Sequence, residues 1–547
     1  MLKFKIIFTL VLISFINILH SQERKPVLKE FLISAYNPPY AWRSSPYEDS
    51  VFIDYKNANF NNFLWVRDDN ELVQKVRDYG FKYYLSVDQS IGGEDDDIEF
   101  LLRGSNDEAP PEITDELLKQ LDDAIDKYKS DPNLTGYYIC DEPYANAFDN
   151  IAKVVARIKE KDPSRLCFVN LWPYFENEEG DNTPEEGDEN YLESFIQKTN
   201  IRLLSYDRYN FYNQSDDNEE YFKQIARIRK KAVKYNIPFC NIIQAVGTNG
   251  TSVSWDSPGD GEHLDWRTPN EAEHRWLVYS SLVYGVHGIV WFHWDCCDWG
   301  VIENPDKDII YPSLQNINDE IDSLKDIMFH LTTTDVYHTI NDPTGETNDT
   351  TNIYLKVSDS TDLVVGAFKD EYDKENYFML MNKNYEDSIL TDIYINHFLD
   401  SLLYFDVTIN KWQDVPFEND TTGANFIVHL RKGGGKLFKF KEKKATKIVN
   451  VNFATADLKL NNYPNPFVSS TIIKYSIPAS NTGNTVYCNV KLDIFDIYGN
   501  KIKTILDKKQ ITGDYQLNYS CDNLPKGIFF LKLKINDKAV TKRIILF

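Results

Sequence analysis

Two adjacent acidic residues follow an apolar run in the first third of the chain. Asp141 and Glu142 come directly after Gly136–Cys140, and Pro143 follows them. Proline cannot donate to a strand ladder, so we expect the strand to end here and Glu142 to lie at its rim. The like charge of Asp141 favours a protonated neighbour, which is what a general acid needs. The pattern predicts Glu142 as a general acid/base that Asp141 tunes.

One reaction that uses a carboxylic acid as general acid is the cleavage of a glycosidic bond. This reaction also requires a second carboxylate across that bond. Asp207 is the first candidate, because it follows the apolar run Ile201–Tyr206. It would act as nucleophile, base or orienting group, and Arg208 beside it could hold an anionic group or orient a carboxylate. Glu262 is a further candidate, in a long glycine-rich segment of the kind that often forms a binding loop.

Polar and aromatic side chains also lie in or just after the other apolar runs. Aromatic faces in an open cleft suit stacking on the apolar faces of pyranose rings. The predicted substrate-binding residues are Asn37, Trp172, Tyr206, Arg208, Gln244, His293 and Trp294. We expect no cofactor and no catalytic metal, because no metal-ligand spacing of histidines occurs. A structural Ca²⁺ on the acidic loops stays open, although no EF-hand pattern is present.

Eight apolar runs with helical patterns between several of them must position these residues. The runs are Phe31–Tyr36, Phe63–Arg67, Tyr83–Val87, Gly136–Cys140, Leu166–Leu171, Ile201–Tyr206, Phe239–Gln244 and Gly288–His293. Strands that alternate with helices imply a parallel sheet. Eight such units predict a (β/α)8 TIM barrel over residues 28–331, whose active site forms at the carboxyl ends of the strands.

Short alternating strands replace this pattern in the rest of the chain. They predict a β-sandwich accessory domain over residues 332–445 and a second β-sandwich over residues 455–547. The fold class is therefore α/β, a TIM barrel followed by two β-sandwich domains. Residues 1–21 have the basic start, short apolar stretch and small residue before a cleavage point that are typical of a signal peptide. No other stretch is long and apolar enough to predict a transmembrane segment.

Charge limits the classes of partner. The chain has 547 residues, 84 acidic against 59 basic side chains and a formal net charge of −25. A general nucleic-acid binder needs a basic face, so we expect no nucleic-acid partner. Seven cysteines are too sparse for a disulfide scaffold.

Three motifs near the C-terminus resemble those of a known family. They are Tyr463-Pro464-Asn465-Pro466-Phe467, Asp496-Ile497-Tyr498-Gly499-Asn500 and Leu524-Pro525-Lys526-Gly527-Ile528-Phe529. In this order at the end of a chain they resemble the type IX secretion C-terminal sorting domain of Bacteroidota. The resemblance implies that the type IX secretion machinery is a partner. It also implies a secreted or outer-surface location.

The barrel segment resembles secreted glycoside hydrolases of the clan whose catalytic acid follows strand four in an Asn-Glu-Pro or related motif. The corresponding residues are Asp141-Glu142-Pro143. The resemblance implies hydrolysis of a polysaccharide or oligosaccharide, with Glu142 as the acid. That clan has its nucleophile at the end of strand seven, where this chain has Gln244.

Other interpretations stay open at this stage. Leu204-Ser205-Tyr206-Asp207 resembles the Met-x-Tyr-Asp of family 18 chitinase-like enzymes, which implies substrate-assisted hydrolysis of N-acetyl sugars. Asp207 with Glu262 resembles the carboxylate spacing of marine endo-fucanases, which implies endo action on an algal or plant polysaccharide such as a sulfated fucan. A catalytically inactive barrel that only binds glycan is a further alternative. So is a polysaccharide lyase with a tyrosine or lysine base.

Overall fold

The chain is represented by a computed structural model. It describes residues 28–40, 46–92, 97–105, 108–173, 188–213, 215–248, 266–295, 300–302, 304, 306–340, 342–344, 355–357, 361–370, 372, 375–420, 423–443, 458–477, 488–511, 513–520, 524–536 and 538–547. The predicted signal peptide and Glu262 lie outside the described residues.

Eight parallel strands form the first sheet. They are β1 (Leu32–Ala35), β2 (Asn62–Val66), β3 (Lys82–Ser86), β4 (Leu134–Asp141), β5 (Leu166–Leu171), β6 (Leu204–Asp207), β7 (Phe239–Gln244) and β8 (Gly288–Phe292). Their order is β1-β8-β7-β6-β5-β4-β3-β2. The two ends of this order meet, because the Asn61 N–H donates to the Ile33 carbonyl (3.0 Å) and the Asn61 side chain accepts from the Ile33 N–H (2.9 Å). The sheet therefore closes into the predicted barrel.

Helices cover the outside of the barrel. They are α1 (Asp49–Asn57), α2 (Asn70–Asp78), α3 (Ile98–Arg103), α4 (Asp115–Tyr128), α5 (Phe148–Lys161), α6 (Asp188–Thr199), α7 (Asn218–Tyr235), α8 (Glu271–Val283) and α9 (Lys307–His330). Helix α4 buries an apolar stripe that includes Leu117, Leu121 and Ile125. Helix α8 is buried on nearly every side, because the barrel covers one face and a β-sheet covers another.

The second region is a sandwich of two antiparallel sheets. Its strands are β9 (Leu331–His338), β10 (Leu355–Val357), β11 (Leu363–Asp370), β12 (Asn376–Asn382), β13 (Ile389–Ile395), β14 (Leu399–Asp406), β15 (Lys411–Asp414), β16 (Glu418–Asn419), β17 (Ala424–Leu430) and β18 (Gly435–Glu442). The six-stranded sheet has the order β15-β14-β18-β12-β11-β9, and the four-stranded sheet has the order β10-β13-β17-β16.

The barrel and the six-stranded sheet share one hydrophobic core. Trp276 of α8 is fully buried and donates from its indole nitrogen to the Lys383 carbonyl at 3.0 Å. Gly366 of β11 lies so close to α8 that an added Cβ would be 2.2 Å from the Val283 carbonyl oxygen. Side chains of β11, β12 and β18 belong to the same core cluster as the barrel helices.

The C-terminal region has two further antiparallel sheets around a core of its own. Its strands are β19 (Lys459–Tyr463), β20 (Ser470–Ile477), β21 (Cys488–Phe495), β22 (Lys501–Gln510), β23 (Gly513–Ser520), β24 (Gly527–Ile535) and β25 (Lys538–Leu546). The sheets have the orders β19-β20-β23 and β22-β21-β24-β25. The predicted fold class, a TIM barrel followed by two β-sandwiches, is confirmed.

Candidate active site

The end of β4 presents two carboxylates. Asp141 is the last residue of the strand and is half-buried. Glu142 follows with a φ of 43°, in the left-handed region that side-chain-bearing residues rarely adopt. Its N–H still donates to the Asn170 carbonyl of β5 at 2.8 Å. The turn at Glu142 therefore ends the strand and gives consecutive acidic side chains different directions at the rim.

Asn170 joins Asp141 to Asp207. Its side-chain Nδ2 donates to Asp141 Oδ1 at 2.9 Å and lies 3.3 Å from Asp207 Oδ1. Asn170 and Asp207 are both almost fully buried. Because one nitrogen contacts both oxygens, the two carboxyl groups face each other across a single side chain. The sequence predicted that these two strand ends meet, and the structure brings them together.

Burial makes this pair costly to ionise. Burial, with the charge of Asp141 second, raises the pKa of Asp207 to about 7. Burial also raises the pKa of Asp141, against the opposing hydrogen bond from Asn170. Two carboxyl groups that share a donor do not both ionise freely, and with a pKa of about 7 Asp207 keeps its proton in roughly half of the molecules at neutral pH.

Glu142 has a different environment. Its Oε2 lies 3.4 Å from the guanidinium of Arg103, at the end of α3, and its side chain is 17% exposed. The Arg103 guanidinium lies 5.4 Å from the ring centroid of Trp172, which follows β5. A neighbouring guanidinium favours the ionised carboxylate. Glu142, Arg103 and Trp172 thus form the more exposed side of the site.

Aromatic side chains surround the buried pair. The Tyr36 and Tyr138 hydroxyls are 2.7 Å apart, and Tyr36 forms a further hydrogen bond with Asp141. Tyr209 hydrogen-bonds Asp207, and its ring lies 4.6 Å from Trp266. Burial, then the charges of Asp207, Glu142 and Asp141, raise the pKa of Tyr209. All three acidic residues therefore act on one tyrosine hydroxyl.

Several predicted substrate-binding residues lie elsewhere. Tyr206 and Trp294 are fully buried, and Trp294 packs against Tyr55 and Phe60 on the helix side of the barrel. These positions leave no ring face for a sugar. The position of Tyr206 follows from the alternation of side chains along a strand. Its neighbour Asp207 faces the barrel interior, so Tyr206 faces the opposite side.

Gln244 and Arg208 have structural partners. The fully buried Gln244 amide binds the Phe211 backbone N–H and carbonyl, at 3.0 and 3.1 Å, and the Arg267 carbonyl at 2.9 Å. The buried Arg208 forms an ion pair with Asp217, which caps α7. Both side chains hold loops in place rather than facing Asp207.

Asn37 and His293 are also almost fully buried. Asn37 has a φ of 46°, and its carbonyl accepts from the Asp295 N–H at 3.0 Å, which joins the ends of β1 and β8. Burial lowers the pKa of His293 to about 3, so the ring is neutral over the physiological range. Trp172, by contrast, contacts the site directly through the guanidinium of Arg103.

The sequence analysis missed Asn170 and Arg103 as partners of the carboxylates. Successive side chains of a strand point to opposite faces. Phe168 and Asn170 of β5 are two residues apart, so both face the interior of the barrel. Arg103 had no such signal, because its position depends on how α3 packs. Asp88 after β3 is another buried carboxyl at this end, and burial raises its pKa to about 6.

The C-terminal region matches the family model for the secretion system C-terminal sorting domain over residues 461–546. This chain carries a type IX sorting domain. The predicted secreted or cell-surface location and the partnership with the type IX machinery follow from it. No helix in the part of the chain that the structure describes is long and apolar enough to cross a membrane.

No curated protein matches this sequence. Among similar solved structures, a glycoside hydrolase family 5 from Bacteroides vulgatus has 11% identity and a TM-score of 0.48, covering 78% of this chain and 91% of that one. A beta-galactosidase from the psychrophilic Marinomonas ef1 has 11% identity and a TM-score of 0.38, covering 54% and 60%. A beta-1,4-mannanase from the sea hare Aplysia kurodai has 12% identity and a TM-score of 0.30, covering 53% and 93%. The barrel itself is defined by its strand order and pairing.

Within the described ranges, no group of three or more histidine, cysteine or acidic side chains is arranged to hold a metal ion. The structural Ca²⁺ considered from the sequence therefore stays a prediction.

Proposed function

We propose that the barrel is a secreted glycoside hydrolase that uses the carboxyl groups of Asp207 and Glu142, with Asp141 tuning Asp207. The observation that carries this proposal is the contact of Asn170 with both Asp141 and Asp207 at the carboxyl ends of neighbouring strands. Buried, interacting carboxyls in a barrel of this type suit acid/base work on a glycosidic bond.

The environments of the two groups favour a division of roles opposite to the sequence prediction. That prediction assigned the mobile proton to Glu142. The pKa of Asp207 is raised to about 7 because it is buried beside Asp141, whereas Glu142 is more exposed and lies 3.4 Å from the Arg103 guanidinium. In the proposed reaction, Asp207 donates a proton to the leaving oxygen. Glu142 acts from the more exposed side as base or nucleophile.

The charges around the site favour an uncharged glycan. Asp88, Asp141, Glu142 and Asp207 lie at this end of the barrel, and the guanidinium of Arg103 is shared between Glu99 and Glu142. A sulfated fucan would bring further negative charge to these carboxylates. We therefore propose neutral polysaccharides or oligosaccharides as the substrate class, with Trp172 as a stacking surface for a sugar ring.

The test is release of reducing ends from a panel of neutral plant and algal polysaccharides, each paired with a sulfated or carboxylated counterpart. We expect the wild-type chain to cleave a neutral member and Asp207→Asn and Glu142→Gln to lose at least about 100-fold in kcat. Asp126→Asn is the control, because this exposed carboxylate pairs with Lys129 near the C-terminal end of α4, shortly before β4 begins and so at the opposite end of the barrel from the site. Full activity in either site variant would remove that residue from the mechanism.

The same panel separates the alternative functions. Retention of a polysaccharide without new reducing ends indicates a glycan-binding barrel, which the structural role of Gln244 at the end of β7 keeps open. Cleavage restricted to N-acetyl sugars indicates substrate-assisted catalysis. Products with ultraviolet absorbance from a new double bond indicate a lyase.

A further inference from the structure

A cavity of about 240 Å³ lies between the barrel helices and the six-stranded sheet. Tyr279 of α8 and Leu324 of α9 form one wall, and the ends of β14, β17 and β18 form the other. None of its lining residues belongs to the strand ends that carry Asp141, Glu142 and Asp207. Ligand sites often occupy junctions of this kind between two packed units.

Lys436 of β18 lines this cavity, and it is unusual because its charged side chain is partly buried. Its side chain is half-buried, and its ammonium group lies 4.6 Å from the ring centroid of Tyr404. Among the described residues, no carboxylate lies within ion-pair distance of Lys436. Burial lowers the pKa of Lys436, which is the expected cost of a partly dehydrated cation. A partly buried charge of this kind is stabilised when an opposite charge approaches.

Arg431 adds a second, fixed cation to the same wall. Its guanidinium lies 2.8 Å from Glu320 Oε2. The same carboxylate accepts from the Tyr279 hydroxyl at 2.8 Å, and its other oxygen lies 3.4 Å from Arg275. Glu320 is therefore shared among three donors. Its contact with Arg431 is to one guanidinium nitrogen, and Arg431, which lines the cavity, has five N–H groups in all.

Asp406 is the acidic residue in the lining, and its carboxylate already accepts hydrogen bonds from neighbouring groups. Asp406 accepts from the Thr408 N–H at 3.0 Å and from the Tyr404 hydroxyl at 3.2 Å. It raises the pKa of Lys436 only as a charge at a distance. The lining therefore has two cationic side chains, Lys436 and Arg431, against the one carboxylate of Asp406, in a chain with a net charge of −25.

We propose that this junction binds the anionic group of a monosaccharide-sized ligand, a sugar acid or a sugar ester of sulfuric or phosphoric acid. Lys436 and Arg431 donate to the anion, and the apolar side chains of Leu324 and Leu437 contact the ring carbons. The site lies apart from the barrel mouth, so it adds a binding function to the proposed hydrolase. The proposed ligand is anionic and is therefore attracted to Lys436 and Arg431. The barrel mouth has several carboxyl groups and would repel the same ligand.

Isothermal titration calorimetry of the full chain in the Asp207→Asn background tests this site with the proposed cleft impaired. The probes are glucuronate, glucose 6-sulfate, glucose 6-phosphate and glucose. Lys436→Met removes the charge and keeps an unbranched apolar stem over Tyr404. Lys439→Met is the matched control on the same strand, because Lys439 lies 4.5 Å from the Trp412 ring centroid and already has Glu375 at 3.6 Å.

We expect at least one anionic probe to bind with one-to-one stoichiometry and glucose to bind at least about tenfold more weakly. Lys436→Met should weaken anion binding by about tenfold or more, and Lys439→Met should leave it unchanged. Which probe binds identifies a carboxylate, sulfate or phosphate source. The proposal is overturned if no anionic probe binds at millimolar concentration, if glucose binds equally well, or if the two lysine variants behave alike. A matching circular dichroism spectrum and melting temperature of Lys436→Met exclude misfolding as the cause of a loss.

Discussion

Asn170 connects the two buried carboxyl groups through one side-chain amide, so its removal should affect both of them. We expect Asn170→Ala to lower kcat by about 10- to 100-fold, because the orientation of Asp207 is lost. The hydrogen bond from Asn170 lowers the pKa of Asp207 and of Asp141. Without it, the pKa of Asp207 rises further, and the basic limb of the pH–rate profile moves to higher pH if Asp207 is the acid.

The control for this prediction is Asn241→Ala. Asn241 of β7 is also fully buried, but its amide donates to Tyr221 and Ser281 on the helix side. That variant should lose stability and keep the wild-type pH profile. An unchanged basic limb in Asn170→Ala would show that Asn170 does not act on the proton donor.

Asp207 also links pH to stability. Its pKa is raised in the folded state to about 7 from a reference of 3.8, so the folded protein binds this proton more tightly than the unfolded chain. Stability from this group is therefore full below about pH 4 and falls as the pH rises towards 7. Asp207→Asn removes the titration and should be more stable than wild type at pH 8, by on the order of a few kcal/mol, with a smaller or no advantage at pH 4.

Urea unfolding at the two pH values measures this difference. An Asp207→Asn variant with the same stability difference from wild type at both pH values would contradict the folded-state pKa. The comparison also tests the role proposed for Asp207 without any substrate, because it depends only on where the proton is held.

The alternation of side chains along a strand explains which residues of the site were predictable. Asp207 was placed at the same end of the barrel as Asp141 because the two residues end β6 and β4, the strands on either side of β5. Tyr206 was assigned to the same cleft although consecutive residues of a strand face opposite sides, and the structure buries it among helices. Arg103 could not be found, since no sequence rule tells how the short helix α3 orients its last side chain towards Glu142.

The elements of the barrel were predictable because short apolar runs recur along the chain with helical patterns between several of them. All eight runs overlap a strand, and the bounds of β5 and β7 agree with the sequence analysis. β6 begins at Leu204, three residues later than predicted, because Ile201 packs in the preceding loop. Apolar character alone does not distinguish a buried loop residue from the first residue of a strand.

Helix α8 depends on its first turn. The Asn270 side chain accepts from the N–H groups of Ala272 and Glu273, and Glu273 accepts in return from the Asn270 N–H. Glu273 also pairs with Arg267, at 2.8 Å. We expect Asn270→Ala to lower the free energy of unfolding by about 1 kcal/mol.

Chemical denaturation measures that loss. Thr114→Ala provides a comparison, because Thr114 caps the more exposed helix α4 through a single bond to the Leu117 N–H. An Asn270→Ala variant that loses less stability than Thr114→Ala would show that the reciprocal bonds at α8 add nothing.

At the scale of the whole molecule, the six-stranded sheet joins the barrel to the sandwich, because one of its faces packs in the barrel core and its other face packs in a separate core with the four-stranded sheet. The barrel and the six-stranded sheet share one cluster, whereas the sorting domain has its own cluster around Ile473, Leu492 and Leu533. Sequence patterns separated three regions, but they could not show that the first two share a core, because the apolar residues of helix α8 do not indicate which neighbour covers them.

This division predicts two calorimetric transitions rather than three. Trp276→Ala should shift the transition of the barrel and sandwich downwards together, since removal of a fully buried tryptophan costs about 3–5 kcal/mol. It should leave the sorting-domain transition in place, and Leu533→Ala, in the other core, should do the reverse. Differential scanning calorimetry of the full chain distinguishes these outcomes.

If Trp276→Ala split the larger transition into separate barrel and sandwich steps, the contact between α8 and β11 would be an ordinary domain interface. The cavity beside Lys436 would then open and close as the two units move.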